Sequence, residues 1–166
     1  MKRALLLLTA SILAGLAAPA LAQAPAVGEP APGFKARTLA GDTLALADLR
    51  GRHVLLEFWA TWCGPCIAGA PAMAALYDST DRAAFEIVGV ALDAAEDVRA
   101  FVERYGQRWP QIVEPNRNGR PVTDLYDVRG YPTSVLIDPD GVVLWTGNSA
   151  GADLHGVIEE ALGTGH

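Results

Sequence analysis

Cys63 and Cys66 are the only cysteines in a chain of 166 residues, and only Gly64 and Pro65 stand between them. As a staple such a pair is weak: closing so short a ring contributes about 2 kcal/mol, against about 3 kcal/mol for a fifteen-residue loop. A chain of this length can fold around its own core without that help, so the pair is better explained by reactivity. The residues before it, Val54 to Ala60, form a near-continuous apolar run that reads as a buried strand, interrupted only by Glu57. If a helix begins at or near Cys63, its backbone N–H groups and dipole point at the sulfur and hold the thiol below its free value of about 8.5. A thiolate is the attacking species in disulfide exchange. Cys66 lies one helical turn on, turned inward, where it can attack a mixed disulfide on Cys63 and release the reduced product. Gly64 lets a second chain come close, and Pro65 has the fixed φ that suits a helix start.

Cys-x-x-Cys between a buried strand and a helix is a redox signal. The competing reading is half of a zinc site or a copper-binding pair. Zinc needs further ligands, and the histidines, His53, His155 and His166, are not paired at ligand spacing. No metal and no cofactor is therefore expected. Glu57 is the next residue with chemical potential. A carboxylate in a buried strand is costly unless protonated or paired, and desolvation raises its pKa. It would suit the buried Cys66 as a proton acceptor; alternatively it is a structural acid held by a neighbouring loop.

These groups need a scaffold, and the chain supplies one after its N-terminus is set aside. Lys2 and Arg3, the apolar stretch Ala4 to Ala18 and the small-x-small triplet Ala20-Leu21-Ala22 read as a secretory signal peptide over residues 1–22. An uncleaved membrane anchor is the alternative, since the run is about long enough to span a bilayer. Removing Lys2 and Arg3 leaves 11 basic against 19 acidic residues, a formal −8. Such a surface argues against nucleic acid and anionic membrane as partners. Secretion places the chain in an oxidising compartment, with the periplasm as the expected location.

Residues 23–32 are rich in Ala, Pro and Gly and read as an extended leader, leaving one domain over 33–166. Phe34–Leu39 and Thr43–Leu46 flank a Gly41-Asp42 turn, hence an N-terminal hairpin. Asp48 to Gly51 is a tight connection. After the cysteines, Ile67, Met73, Leu76 and Tyr77 can form the buried face of a helix that contains Pro71. Phe85 to Leu92 is a second buried strand. Asp93 to Gly106 has helical spacing, with Asp93 and Glu96 placed as a capping box and Gly106 as the C-cap glycine. Gln111 to Val113 is a short strand, Asn116 to Pro121 a polar loop, and Thr123 to Asp127 a helical turn. Asp138-Pro139-Asp140-Gly141 joins two strands in a hairpin, and Ala152 to Leu162 closes the chain as a helix. The order implies an α/β sandwich with mixed strand directions.

Two segments then resemble a known family. Phe58-Trp59-Ala60-Thr61-Trp62-Cys63-Gly64-Pro65-Cys66 is similar to the active-site segment of thioredoxin-like proteins. Val128 to Asp138, which contains Gly130-Tyr131-Pro132-Thr133, resembles their cis-proline segment. The N-terminal hairpin, the Leu49-Arg50-Gly51 connection and the helix–strand unit between Asp93 and Val113 resemble the TlpA/ResA-like branch of secreted or membrane-tethered thiol–disulfide oxidoreductases. The resemblance implies a thioredoxin-like three-layer sandwich with a mixed central sheet, an N-terminal β-hairpin and an extra helix–strand insert. It implies a dithiol–disulfide cycle on Cys63 and Cys66, a cis bond at Pro132 opposite Cys63, and a Tyr131 backbone that pairs with a substrate strand. Trp62, Gly64, Pro65 and Thr133 would complete the active-site surface. Gly64-Pro65 and Glu57 match reducing thioredoxins, which implies a reductant of protein disulfides recharged by a membrane thiol electron donor. Gly69 stands where some members place an acid, and Glu57 where many carry a neutral residue. The resemblance therefore implies the chemistry without a particular substrate such as apocytochrome c. The alternatives are a thiol peroxidase, which would need Ser or Thr three residues before the attacking cysteine where Ala60 stands, and a copper-delivery module.

Overall fold

The computed structural model describes residues 24–114, 121–150 and 153–163; the expected signal segment and residues 116–120 of the expected loop lie outside them. Among the described residues, seven strands and four α-helices follow one another as β1 (Lys35–Arg37), β2 (Thr43–Ala45), β3 (His53–Trp59), α1 (Gly64–Ser79), β4 (Phe85–Ala91), α2 (Ala95–Tyr105), β5 (Gln111–Val113), α3 (Val122–Leu125), β6 (Thr133–Ile137), β7 (Val143–Gly147) and α4 (Leu154–Leu162). Strands β1 and β2 form the expected antiparallel hairpin. The other five make one mixed sheet in the order β5-β4-β3-β6-β7, parallel from β5 to β3 and antiparallel at β6 and β7.

The continuous apolarity of β3 has the cause the sequence suggested: both faces are covered. Val54, Leu56 and Phe58 pack with Leu46, Leu49, Val122 and Tyr126, which come from the hairpin side and α3. Leu55 packs with Met73 and Leu76 of α1 and Leu154 and Ile158 of α4. Trp59 sits with both cysteines, Ala70 of α1, and Val98 and Phe101 of α2. The sheet is thus the middle of three layers, and each fully buried Leu, Val or Phe contributes about 1.5–3 kcal/mol.

Three local expectations resolve differently in detail. The 48–51 connection begins inside a single turn of 3-10 helix, Leu46–Leu49. Residues within the 23–32 segment dock on the sheet: Gly28 N–H donates to the Val143 carbonyl, Val143 N–H to Glu29 and Ala31 N–H to Gly141. The capping box of α2 does not form. The N-cap is Ala94, without a side-chain cap, because the Asp93 carboxylate is used elsewhere. The other end of α2 closes as the sequence indicates, with Gly106 at φ 68°, a left-handed conformation that glycine adopts without a Cβ penalty.

Candidate active site

Strand β3 delivers the chain to the site, and α1 begins there. Cys63 is the N-cap residue of α1 and Pro65 lies in its first turn. The Cys63 sulfur accepts the Cys66 N–H at 3.3 Å, so one of the free N–H groups of the helix start is spent on sulfur. The two cysteines are joined as a disulfide with Cα atoms 5.2 Å apart, and both are buried. Ahead of them, Asp93 accepts the Thr61 N–H at 2.6 Å. That charge-assisted bond ties the Thr61-Trp62 corner to the loop after β4. The sequence offered Asp93 only as a cap, because spacing cannot say which of two nearby N–H groups wins it.

Trp62 stays 65% exposed beside the buried disulfide. Its ring meets Tyr131 edge-on at 5.9 Å, and the Tyr131–Pro132 peptide is cis. The Thr133 hydroxyl donates to the Gly130 carbonyl at 2.8 Å and holds the turn that leads into β6. Burial first, then the negative charges of Glu114 and Asp93, push the Tyr131 hydroxyl above its usual range. Glu114 is itself buried and accepts from the N–H groups of Val122 and Thr123 and from the Thr123 hydroxyl, capping α3. Trp62, Cys63, Tyr131, Pro132 and Thr133, split between two distant segments of sequence, thus converge on one surface.

Beneath that surface Trp59 is fixed from two sides. Its ring lies 4.6 Å from that of Phe101, and its indole N–H donates to Gln111 Oε1 at 3.0 Å, while Gln111 Nε2 donates to Gln107 at 3.2 Å. The Gln111 amide reaches Trp59 by lying over Gly89, where a Cβ would fall inside it. Nothing in the sequence marked Gln111 or Glu114; a polar residue inside an apolar strand end was the only available signal.

Glu57 lies opposite Ser134 on β6 and beside Gly89 on β4. It is 6% exposed, and its Oε2 has no hydrogen-bond partner, as is also true of the Ser134 hydroxyl. Desolvation raises its pKa from 4.5 to about 7. Glu57 and Cys66 line one cavity of about 250 Å³, together with Pro132 and residues of α1 and α4. Among the described residues no loop holds the carboxylate by a hydrogen bond to Oε2, the alternative raised from the sequence. Among the described residues no group of three or more His, Cys, Asp or Glu side chains is placed to hold a metal ion.

A mixed sheet between helices, with a Cys-x-x-Cys disulfide capping a helix beside a cis-proline, defines the thioredoxin-like thiol–disulfide oxidoreductases. The chain belongs to the AhpC/TSA family, whose profile matches residues 27–146. It is similar to the thiol-disulfide oxidoreductase ResA of Bacillus thuringiensis, at 40% identity over 121 residues, covering 71% of this chain and 67% of the relative. Among solved structures it resembles the thioredoxin domain of a thiol-disulfide oxidoreductase from Bacteroides vulgatus, with a TM-score of 0.73, 29% identity, and coverage of 81% of this chain and 96% of that one. It also resembles a secreted Mycobacterium tuberculosis disulfide oxidoreductase homologous to the DsbE of E. coli, with a TM-score of 0.63, 26% identity, and coverage of 77% and 91%. The protein is a thiol–disulfide oxidoreductase.

Proposed function

We propose that the protein reduces disulfides of protein substrates outside the cytoplasm. Cys63 is the attacking group, Cys66 the resolving one and Glu57 the proton acceptor. The observation that carries this reading is the placement of the Cys63 sulfur as the helix cap, with Cys66 and Glu57 behind it in one cavity. In the first step the Cys63 thiolate attacks a substrate disulfide. A Cys63–substrate bond forms, the substrate S–S bond breaks, and the departing thiolate takes a proton from water. In the second step the Cys66 thiol gives its proton to Glu57 and its sulfur attacks Cys63. The intramolecular disulfide forms, the substrate's second sulfur leaves, and the substrate has gained two electrons.

Tyr131 and Thr133, flanking the cis-proline, offer backbone to an extended substrate segment, and exposed Trp62 offers an apolar ring beside it. The direction is supported by the Gly64-Pro65 dipeptide and by Glu57, both features of reducing thioredoxins. A reductant in an oxidising compartment must be recharged, so a membrane thiol electron donor is its partner. The signal-like residues 1–22 support export, with removal at Ala22, and the secreted relative is in keeping with it. The domain so released is residues 33–166 behind the 23–32 segment. Peroxidase chemistry lacks its hydroxyl, since Ala60 stands where it would be needed and is buried.

The test is to trap the substrate. Cys66→Ala should leave Cys63 joined to its natural substrate in a mixed disulfide, recoverable from the periplasm. If Cys63→Ala captures the same proteins, the assignment of the attacking sulfur is wrong. A reduction potential near those of the strongly oxidising enzymes would reverse the direction.

A further inference from the structure

Glu57 needs a way to exchange its proton, and the sheet offers none. Its neighbour on β4 is Gly89, under the Gln111 amide, and its neighbour on β6 is Ser134, whose hydroxyl is fully enclosed. The carboxylate does border the cavity between α1 and α4. That cavity opens where α1 carries Gly69, at which an added Cβ would meet nothing within 4 Å. Ala72, Met73 and Leu154 give the cavity apolar wall, and Ser149, Asp153 and His155 line it as well. Asp153 is engaged, capping α4 through the Gly156 N–H at 3.0 Å. His155 is 58% exposed in its side chain and has its Nδ1 3.4 Å from Glu159 Oε2.

A space of about 250 Å³ lined by the Glu57 carboxylate, whose Oε2 has no partner, and by the polar side chains of Ser149, Asp153 and His155 satisfies the conditions for holding several bridging waters. The titratable groups on its walls are Glu57, Asp153 and His155, joined by Cys66 once the disulfide is reduced, from β3, α1 and the start of α4. The elements beside Glu57 in the sheet contribute only Gly89 and Ser134. Imidazole is the side chain suited to passing a proton near neutrality.

We propose that this cavity is the route by which Glu57 exchanges protons with bulk water, and that His155 relays them at its mouth. Through it the redox pair senses external pH although both sulfurs and the carboxylate are buried. The inference deepens the role assigned above to Glu57 and rests on it for its consequence, but the two can fail separately.

The experiment follows the carboxyl-carbon NMR signal of Glu57 in the full oxidised chain near pH 7, identified by its loss in Glu57→Gln. Proton release from an acid titrating there is slow enough for added buffer to matter. The wild-type signal should be a single averaged line that moves with pH. Gly69→Leu, which fills the mouth, should broaden or split it. His155→Gln should broaden it in dilute buffer, with imidazole restoring the averaged line, while imidazole should not rescue Gly69→Leu. Identical lines in all three proteins would overturn the route. Rescue of neither variant, or no response to His155→Gln, would overturn the relay. The rate at which Cys66 resolves a mixed disulfide on Cys63 is then compared in wild type and Glu57→Gln. An unchanged rate removes Glu57 from the chemistry even if the exchange route stands.

Discussion

Replacing Glu57 by Gln should remove a pH dependence of stability confined to a defined window. Burial raises the Glu57 pKa from 4.5 to about 7, and at about 1.4 kcal/mol per pH unit this corresponds to about 3 kcal/mol. The sign follows from proton counting. Between the two values the folded chain holds a proton on Glu57 that the unfolded chain has lost. Stability from this group is therefore full below about pH 4.5 and falls as pH rises, until the loss is complete above about pH 7. The carboxylate stays 6% exposed and unpartnered at Oε2, so no counter-charge offsets the penalty. Glutamine has nearly the same shape and cannot ionise. Urea unfolding of the two oxidised proteins, at intervals from about pH 4 to about pH 8, should give wild-type stability falling by up to about 1.4 kcal/mol per unit within the window relative to the variant. By about pH 8 the difference between the proteins should have shifted by about 3 kcal/mol in favour of Gln relative to about pH 4. Any constant cost of the extra amide hydrogens cancels in that comparison. A difference that stays flat across the range would refute the reasoning, because it would mean that the folded protein meets the charge with partners absent from the cavity.

Asp93→Ala should cost about 1.5–3 kcal/mol by removing a charge-assisted bond to Thr61, and it should also change the alkylation rate of Cys63 in the reduced protein; unfolding and thiol-labelling measurements check the two effects. Gly89→Ala should be destabilising because the new methyl displaces the Gln111 amide from Trp59; the double variant with Gln111→Ala should lose less than the sum of the singles, a non-additivity that a double-mutant cycle reads directly. Gly69→Ala should stabilise the protein by about 1 kcal/mol, since an exposed mid-helix glycine is exchanged for the best helix former with open space around the new methyl; a higher urea midpoint at unchanged slope is the expected result.

Much of this arrangement could be read from residue order, and the limit of legibility has a physical basis. Val54 to Ala60 announced a strand covered on both faces because period-two alternation was missing, and β3 is covered on both faces. Gly41, Gly106 and the Asp138–Gly141 turn marked their bends because backbone conformation is a local property. Glu57 stood out because a lone charge in an apolar run has few explanations. The cis bond at Pro132 came from resemblance alone, since an X-Pro pair is cis in only about one case in twenty. Asp93 was misjudged for a different reason: two N–H donors compete for its carboxylate, and the one from Thr61, 32 positions away, lies close only after β3 and β4 pair. Gln111 and the cavity beside Gly69 are likewise consequences of tertiary packing, and local spacing carries no trace of them.

The docking of the N-terminal segment bears on how the chain acquires its shape. Gly28 to Ala31 bond to residues 141–143, while Leu39 N–H donates to the carbonyl of Gln111 and Thr38 bridges to Ile112. Residues separated by more than a hundred positions must therefore meet before the sheet is closed at both edges, so a chain emerging N-terminus first cannot finish this step until its last hairpin has appeared. During that wait Cys63 and Cys66 are open to oxidants. With only two cysteines in the chain, an intramolecular disulfide formed at any moment of assembly is already the native one. Mispairing would require a second molecule.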